Sequence, residues 1–269
     1  MDSTRRQIDV FRAGIVTHKL TEHDHEIAKS RGRPIRACLA LTAIFVFTEA
    51  VLVQTSRIRG ATTVPSGTSR DLSGIWMERQ DSITFSSQEP PLMPWAAENY
   101  KRVKPGYGPR ATADSEDPIL NCMPPGVPRI MLIPFPMQIV QTPSEVIMLF
   151  EYDHYVRHIY LDRHEHPKEM DLTWMGDSIG WWEGNTLVVD TAGLNDKTWL
   201  DQVGHPHSDA LHVVERIRRV DRDTLEDDVT INDLKAYKRP WTGQQVFKLK
   251  PTWHLLEYVC MDDRVGARR

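Results

Sequence analysis

Apolar and polar residues alternate with period two over much of the second half of the chain. The clearest stretch is Ile179-Gly180-Trp181-Trp182-Glu183 followed by Thr186-Leu187-Val188-Val189-Asp190, two runs of strand formers separated by Gly184-Asn185. A two-residue Gly-Asn turn supplies the positive φ that a tight hairpin needs. Counting outward from the turn pairs Trp182 with Leu187, Trp181 with Val188 and Ile179 with Asp190. Adjacent strand residues point to opposite faces. Two consecutive tryptophans therefore predict cover on both faces, and with it a closed or doubly packed sheet.

Further strands follow the same logic. Gly74-Ile75-Trp76 opens the first. Met137–Gln141 and Val146–Tyr152 flank a Pro143-Ser144 turn, and Val156–Leu161 follows the loop Asp153-His154-Tyr155. After the Trp-Trp hairpin come Leu211–Val220, Leu225–Ile231 and Val246–Val259, the last interrupted by Pro251. Residues 86–135 are rich in Pro, Gly and polar groups, with a short helix expected over Pro94–Arg102, where Pro in a first turn does no harm. Many short strands and little helical periodicity predict an all-β fold. The expected form is an antiparallel up-and-down β-barrel over residues 71–263, with a Pro-rich N-terminal loop region and one or two short helices; residues 264–269 form a tail.

Residues 37–48 are the one long uncharged apolar run, preceded by Arg31, Arg33 and Arg36 and followed by Thr48-Glu49-Ala50. That order of basic region, apolar run and small residues is that of a secretory leader. Residues 1–70 are accordingly a leader, with a signal peptide or an anchor at about 31–50 and then a linker. The protein is expected outside the cytoplasm, periplasmic or extracellular, with no stable membrane insertion once the leader is removed; membrane anchoring by the apolar segment is the alternative. Of the three cysteines, Cys38 lies in the leader, leaving Cys122 and Cys260 to pair as a disulfide. A net charge of −4 leaves no electrostatic footprint for nucleic acid. The basic residues Arg216, Arg218, Arg219 and Arg222 around one hairpin predict a solvated face.

A run of motifs resembles a family of bacterial exported proteins with a lipocalin-like (calycin) barrel. The motifs are Gly176-Asp177-Ser178-Ile179-Gly180-Trp181-Trp182-Glu183-Gly184-Asn185-Thr186-Leu187-Val188-Val189-Asp190-Thr191, then Gly204-His205-Pro206-His207-Ser208, Glu215-Arg216 and Tyr237 with Pro240-Trp241. Upstream, Met123 to Arg129 and His164-Glu165-His166-Pro167 also fit, and Gly74-x-Trp76 is the short mark of lipocalin-type barrels, in which the Trp plugs the closed end. The resemblance covers about residues 72–262 and implies fold and export; it transfers no reaction. Asn185 stands where relatives tend to have Asp, and Glu165 makes the His-Pro loop less glycine-rich than the pattern.

Strand alternation selects the candidate chemistry. In Leu211–Val220, one face holds Leu211, Val213, Glu215 and Ile217, and the other His212, Val214, Arg216 and Arg218. Glu215 is then a carboxylate on an apolar face. It is either a general acid or base, or half of a buried ion pair. Arg219 is expected opposite Asp227 as rim structure, and Arg157 opposite Glu151 as a cross-strand pair. Val156, His158 and Tyr160 are expected to share a face with Phe150 and Tyr152 as a pocket wall. His205 and His207 occupy a polar loop of the kind where sites collect. Candidate catalytic residues are Glu215, His205, His207 and His158; candidate ligand-binding residues are Tyr152, Tyr160, Trp174, Trp182 and Tyr237. No cofactor is expected and the histidine spacing does not diagnose a metal. A metal would draw on His205, His207 and His212, with His164 or His166 able to complete a three-nitrogen set.

Three functions compete. The first is binding of a small, largely apolar molecule inside an eight-stranded barrel, which has room for one such ligand. The second is an enzyme on the same barrel that uses Glu215 and nearby His for hydrolysis, isomerisation or water elimination. The third is a structural envelope role. The sequence has no Rossmann fingerprint, P-loop, Gly-x-Ser-x-Gly elbow or His-Glu-x-x-His to decide among them.

Overall fold

A computed structural model describes residues 70–79 and 82–262. The leader expected over 1–70, except Arg70, and the tail 264–269 lie outside the described residues. Nine strands close into one barrel: β1 (Gly74–Glu78), β2 (Met137–Gln141), β3 (Glu145–Phe150), β4 (Val156–Tyr160), β5 (Asp177–Glu183), β6 (Thr186–Ala192), β7 (His212–Asp221), β8 (Thr224–Asn232) and β9 (Trp241–Leu249). Sequence neighbours are spatial neighbours all the way round, and β9 returns to pair with β1. This is the expected all-β, lipocalin-like barrel, with nine strands rather than eight. Among the described residues the helices are α1 (Pro94–Arg102), 3-10 turns at Pro118–Asn121 and Arg129–Leu132, and helical residues at 260–262. No helix among them is long and apolar enough to cross a membrane.

The hairpin register is the one counted from its turn: Trp182 faces Leu187, Trp181 faces Val188 and Ile179 faces Asp190. Gly184 takes φ 62°, as the tight turn requires. The outer face is less covered than two tryptophans predicted, for Trp181 remains 41% exposed. The strand expected over Val246–Val259 is displaced. It starts at Trp241 and stops at Leu249, before Pro251, and the chain then runs irregularly to Cys260.

One joint breaks the antiparallel pattern. β4 and β5 run parallel and share only two registered pairs, Ile159–Ser178 and Tyr160–Ile179. The chain between them, residues 161–176, must cross back over the barrel before β5 can start in the same direction. Gly180 permits close contact at this seam, because a Cβ there would lie 2.8 Å from Ile159 Cγ2.

Trp76 is fully buried at the end from which β1 starts, donates from Nε1 to Leu72 O at 2.8 Å, and lies 5.3 Å beneath the Arg219 guanidinium. Leu187, Val189, Val213, Ile217, Leu225, Val229 and Ile231 fill the inner face of the consecutive strands β6 to β8. Outside the barrel, Ile119, Ile133, Tyr152, Phe135 and Tyr258 form a second cluster. Beside it the Cys122–Cys260 disulfide joins the Pro-rich region to the C-terminal segment, with a Cα separation of 5.6 Å. The pairing expected from the cysteine count is therefore present.

Candidate functional site

Glu215 points into the barrel, as the alternation of β7 predicted, and is fully buried. Its partner is Arg157, which donates from Nη1 to Glu215 Oε1 at 2.9 Å and from Nη2 to Glu215 Oε2. The same guanidinium donates from Nε to Ser178 Oγ at 3.2 Å and from Nη2 to Thr191 Oγ1 at 2.9 Å. Arg157 is therefore not the cross-strand partner of Glu151. It stands opposite Met148, while Glu151 accepts the Leu256 N–H at 2.8 Å. Nor is Asp227 a rim partner of Arg219. Arg219 faces Leu225, because the turn is only Arg222-Asp223 and a bulge between Arg219 and Asp221 shifts the register. Asp227 faces Ile217 instead and is fully buried beside Glu215.

One buried cation balances one buried anion, so a third charged group inside would be unpaired. Burial first, and then the Glu215 carboxylate, push Asp227 well above the usual carboxylate range. A raised pKa favours the protonated carboxyl, from which the neighbouring Glu215 can accept. This layer is sealed and charge-balanced, which suits a brace.

The pocket wall expected of Val156, His158 and Tyr160 with Phe150 and Tyr152 does not form. Leu149 pairs with Val156 and Ile147 with His158, so Val156, His158 and Tyr160 face outward while Arg157 and Ile159 face in. The loop between β3 and β4, with Asp153 and His154 at positive φ, inverts the parity that straight counting carried across it. His158 is exposed and lies 3.0 Å from Glu145. Tyr160 stacks on His158, Tyr152 sits in the outer cluster, Trp174 lies on the crossing segment 161–176, Trp182 lies near the Gly184-Asn185 turn, and Tyr237 lies in the β8–β9 loop at the other end. These five aromatics are thus spread over the outer wall, the outer cluster, the crossing segment and both ends of the barrel. A recess of about 610 Å³ lies outside β8 and β9, between Phe85–Ser87 and Arg216, Asp228 and Gln244, and none of the predicted site residues lines it.

His205 and His207 knit their loop to α1 and to the β8–β9 loop. His205 Nδ1 donates to Asp201 Oδ2 at 2.5 Å, and its Nε2 lies 3.4 Å from Glu89. Its ring stacks on Tyr100 of α1 at 4.3 Å, with Arg110 3.8 Å over the same tyrosine. Burial opposes charge on His205, but Asp201 and Glu89 outweigh it and raise the pKa. His207 is the converse: burial pushes it down, and its Nδ1 donates to Ser208 O at 3.2 Å. Tyr237 donates to Pro206 O at 2.8 Å. Glu215 and these histidines do not meet.

The titratable cluster that does converge lies on the outer wall. Asp190 of β6 and His212 of β7 both face outward, His212 two positions from Val214, which is opposite Asp190. The crossing segment lays His166 over them. One ring nitrogen each of His166 and His212 and an Asp190 oxygen all lie within 4.8 Å of one another. His212 Nε2 contacts Asp190 Oδ1, and His166 Nε2 is 3.9 Å from the same oxygen. His166 Nε2 and Asp190 Oδ1 are both shielded from solvent. The far side of His166 is fixed: Nδ1 donates to Asp177 Oδ1 at 2.7 Å, and Asp177 Oδ2 accepts from Arg163 at 2.9 Å. Burial works against ionisation of Asp190, but His212 and His166 outweigh it and hold its carboxyl below the usual range.

The sequence had grouped His212 with His205 and His207; the fold groups it with His166 and Asp190. Asp190 escaped notice because it sits in a run of strand formers, although its outward parity, shared with His212 on the next strand, was readable. Asp177 and Asp201 gave no local signal, and that of Arg157 pointed to Glu151. The chain matches no known protein-family model and no curated protein, so the site stands on its own geometry.

Proposed function

We propose that this chain is an exported metal-binding barrel protein, holding one divalent transition-metal ion, zinc foremost, on its outer wall through His166 Nε2, Asp190 and His212 Nε2. The observation that carries this is the convergence of three ligand atoms, from two neighbouring strands and the segment that crosses them, on one point of the outer wall. An imidazole and carboxylate set suits zinc and its neighbours, and a metal-bound histidine ordinarily donates its other nitrogen to a carboxylate, as His166 does to Asp177. Three protein ligands leave a position for water, the arrangement of catalytic rather than closed structural sites. The side chains of His212 and Asp190 are 37% and 22% exposed, so that position can reach solvent. An ion here would bring a bound water toward ionisation near neutral pH, the chemistry of metal-assisted hydrolysis. The disulfide supports an oxidising compartment and so export.

Binding of a small apolar molecule inside the barrel ranks second. Trp182 and Tyr237 lie toward opposite ends, and a ligand reaching both would have to pass the Arg157–Glu215 pair.

The test is elemental analysis of the purified full chain, followed by chelation and zinc titration. One zinc per chain is expected. His166→Ala, Asp190→Ala and His212→Ala should each abolish binding, and His205→Ala should retain it. Loss in His205→Ala with retention in the other three, or no binding by the parent chain, overturns the reading. Native mass spectrometry of the same sample shows any carried organic ligand.

A further inference from the structure

We propose that Arg157, sealed inside the barrel, is a positioning residue for the metal ligands on its outer surface. This rests on the metal reading above and adds to it a mechanical link through the wall.

The link follows from strand alternation. Ser178, which faces inward, adjoins Asp177, which faces outward; Thr191 inside adjoins Asp190 outside. Arg157 bonds Ser178 at 3.2 Å and Thr191 at 2.9 Å, and the two hydroxyls bond each other at 2.9 Å. Its remaining contacts reach Glu215 on β7, the strand that opens with His212. One guanidinium on β4 thus grips β5, β6 and β7 from within, each next to or near a residue of the outer cluster.

That grip falls where the sheet itself is weakest. The β4–β5 joint has two registered pairs, against seven between β5 and β6. Outside, residues 161–176 cross the same joint and are tied down through Arg163 and His166 on Asp177. His166 comes from this crossing segment, whereas Asp190 and His212 belong to the wall. Their separation therefore depends on how firmly the joint is held. Ligand sets work within about 0.5 Å of their productive geometry, so a small loosening costs affinity. The planar fork of an arginine can hold four acceptors in fixed directions, which a lysine cannot. The coupling is reciprocal: an ion outside should in turn stabilise the joint.

The test uses the full chain with cobalt(II) as the probe, reading affinity and the visible absorption bands that report coordination geometry. Thr191→Val keeps the side-chain shape and removes the hydroxyl. It should fold, bind cobalt about tenfold or more weakly, as losses around metal ligands do, and shift the bands. Thr224→Val, at a buried hydroxyl bonded to Asp221 away from the site, is the control. It should lower the melting temperature and leave cobalt binding unchanged. If Thr191→Val does not fold, Ser178→Ala carries the same expectation. Parental affinity and spectrum in the folded variant, whatever its melting temperature, overturn the positioning role while leaving the metal site standing. Absence of cobalt binding in the parent chain overturns both.

Discussion

Arg157 and Glu215 stand on β4 and β7, three strands apart, yet two hydrogen bonds join them inside the barrel where solvent reaches neither. Breaking such a pair from one side leaves a buried charge without a partner, at a cost of about 3–5 kcal/mol. Arg157→Met should therefore lower the unfolding free energy by about that amount. Arg157→Met combined with Glu215→Leu should recover most of it, since a buried pair and an apolar replacement of similar volume are close in stability. Urea unfolding of the two variants measures this. A double variant as unstable as the single one would contradict the account.

Asp227 gives the interior a pH dependence of definite sign. Its folded pKa is raised, so its contribution to stability is whole below the unfolded value of about 3.9 and is lost as pH rises toward the folded one. Asp227→Asn removes that dependence. The variant should become progressively more stable relative to the parent as pH rises above the ordinary carboxylate range. Melting curves across that range test it; a difference that stays flat would mean Asp227 is ionised and paired.

The loop around His205 should respond to pH through that residue. Its pKa is raised by Asp201 and Glu89 against burial, so its contribution is full below the unfolded value of about 6.5 and fades as pH climbs through the folded one. His205→Gln should destabilise the protein most at acidic pH, and the gap should narrow on the alkaline side. Hydrogen exchange at Gln202 to His207, followed with pH, reads the same loss locally.

Much of the barrel was legible in the sequence because period-two alternation and a tight turn fix both face and register within one hairpin. Trp182–Leu187 and the inward Glu215 follow from that alone. What was not legible depended on counting through a loop. The loop between β3 and β4 turned Arg157 inward and His158 outward, and the bulge near Arg219 moved Asp227 from the rim to the interior. The metal cluster is harder still. His166 reaches Asp190 only because the β4–β5 joint is parallel and forces the chain to cross the outer wall, a tertiary fact with no periodic trace.

Gly180 tests that joint directly. A methyl group there would sit 2.8 Å from Ile159 Cγ2 and 3.2 Å from Leu161 Cδ2, both side-chain atoms. Overpacking of this kind costs about 1–3 kcal/mol, so Gly180→Ala should be folded and less stable by that amount. Gly180→Ala combined with Ile159→Ala, which removes the contacting Cγ2, should cost less than the two single changes added together. Chemical denaturation of these variants decides it, and an unaffected Gly180→Ala would mean that β4 and β5 are not in close contact.

The central claim is that His166, Asp190 and His212 hold one metal ion together. Its most direct test is a crystal of the full chain grown with zinc, with diffraction collected on both sides of the zinc absorption edge. The account predicts one strong anomalous peak on the outer wall, about 2.0–2.2 Å from His166 Nε2, an Asp190 oxygen and His212 Nε2. Zinc bound instead at His205 or His207, or no ordered peak near Asp190, would contradict it.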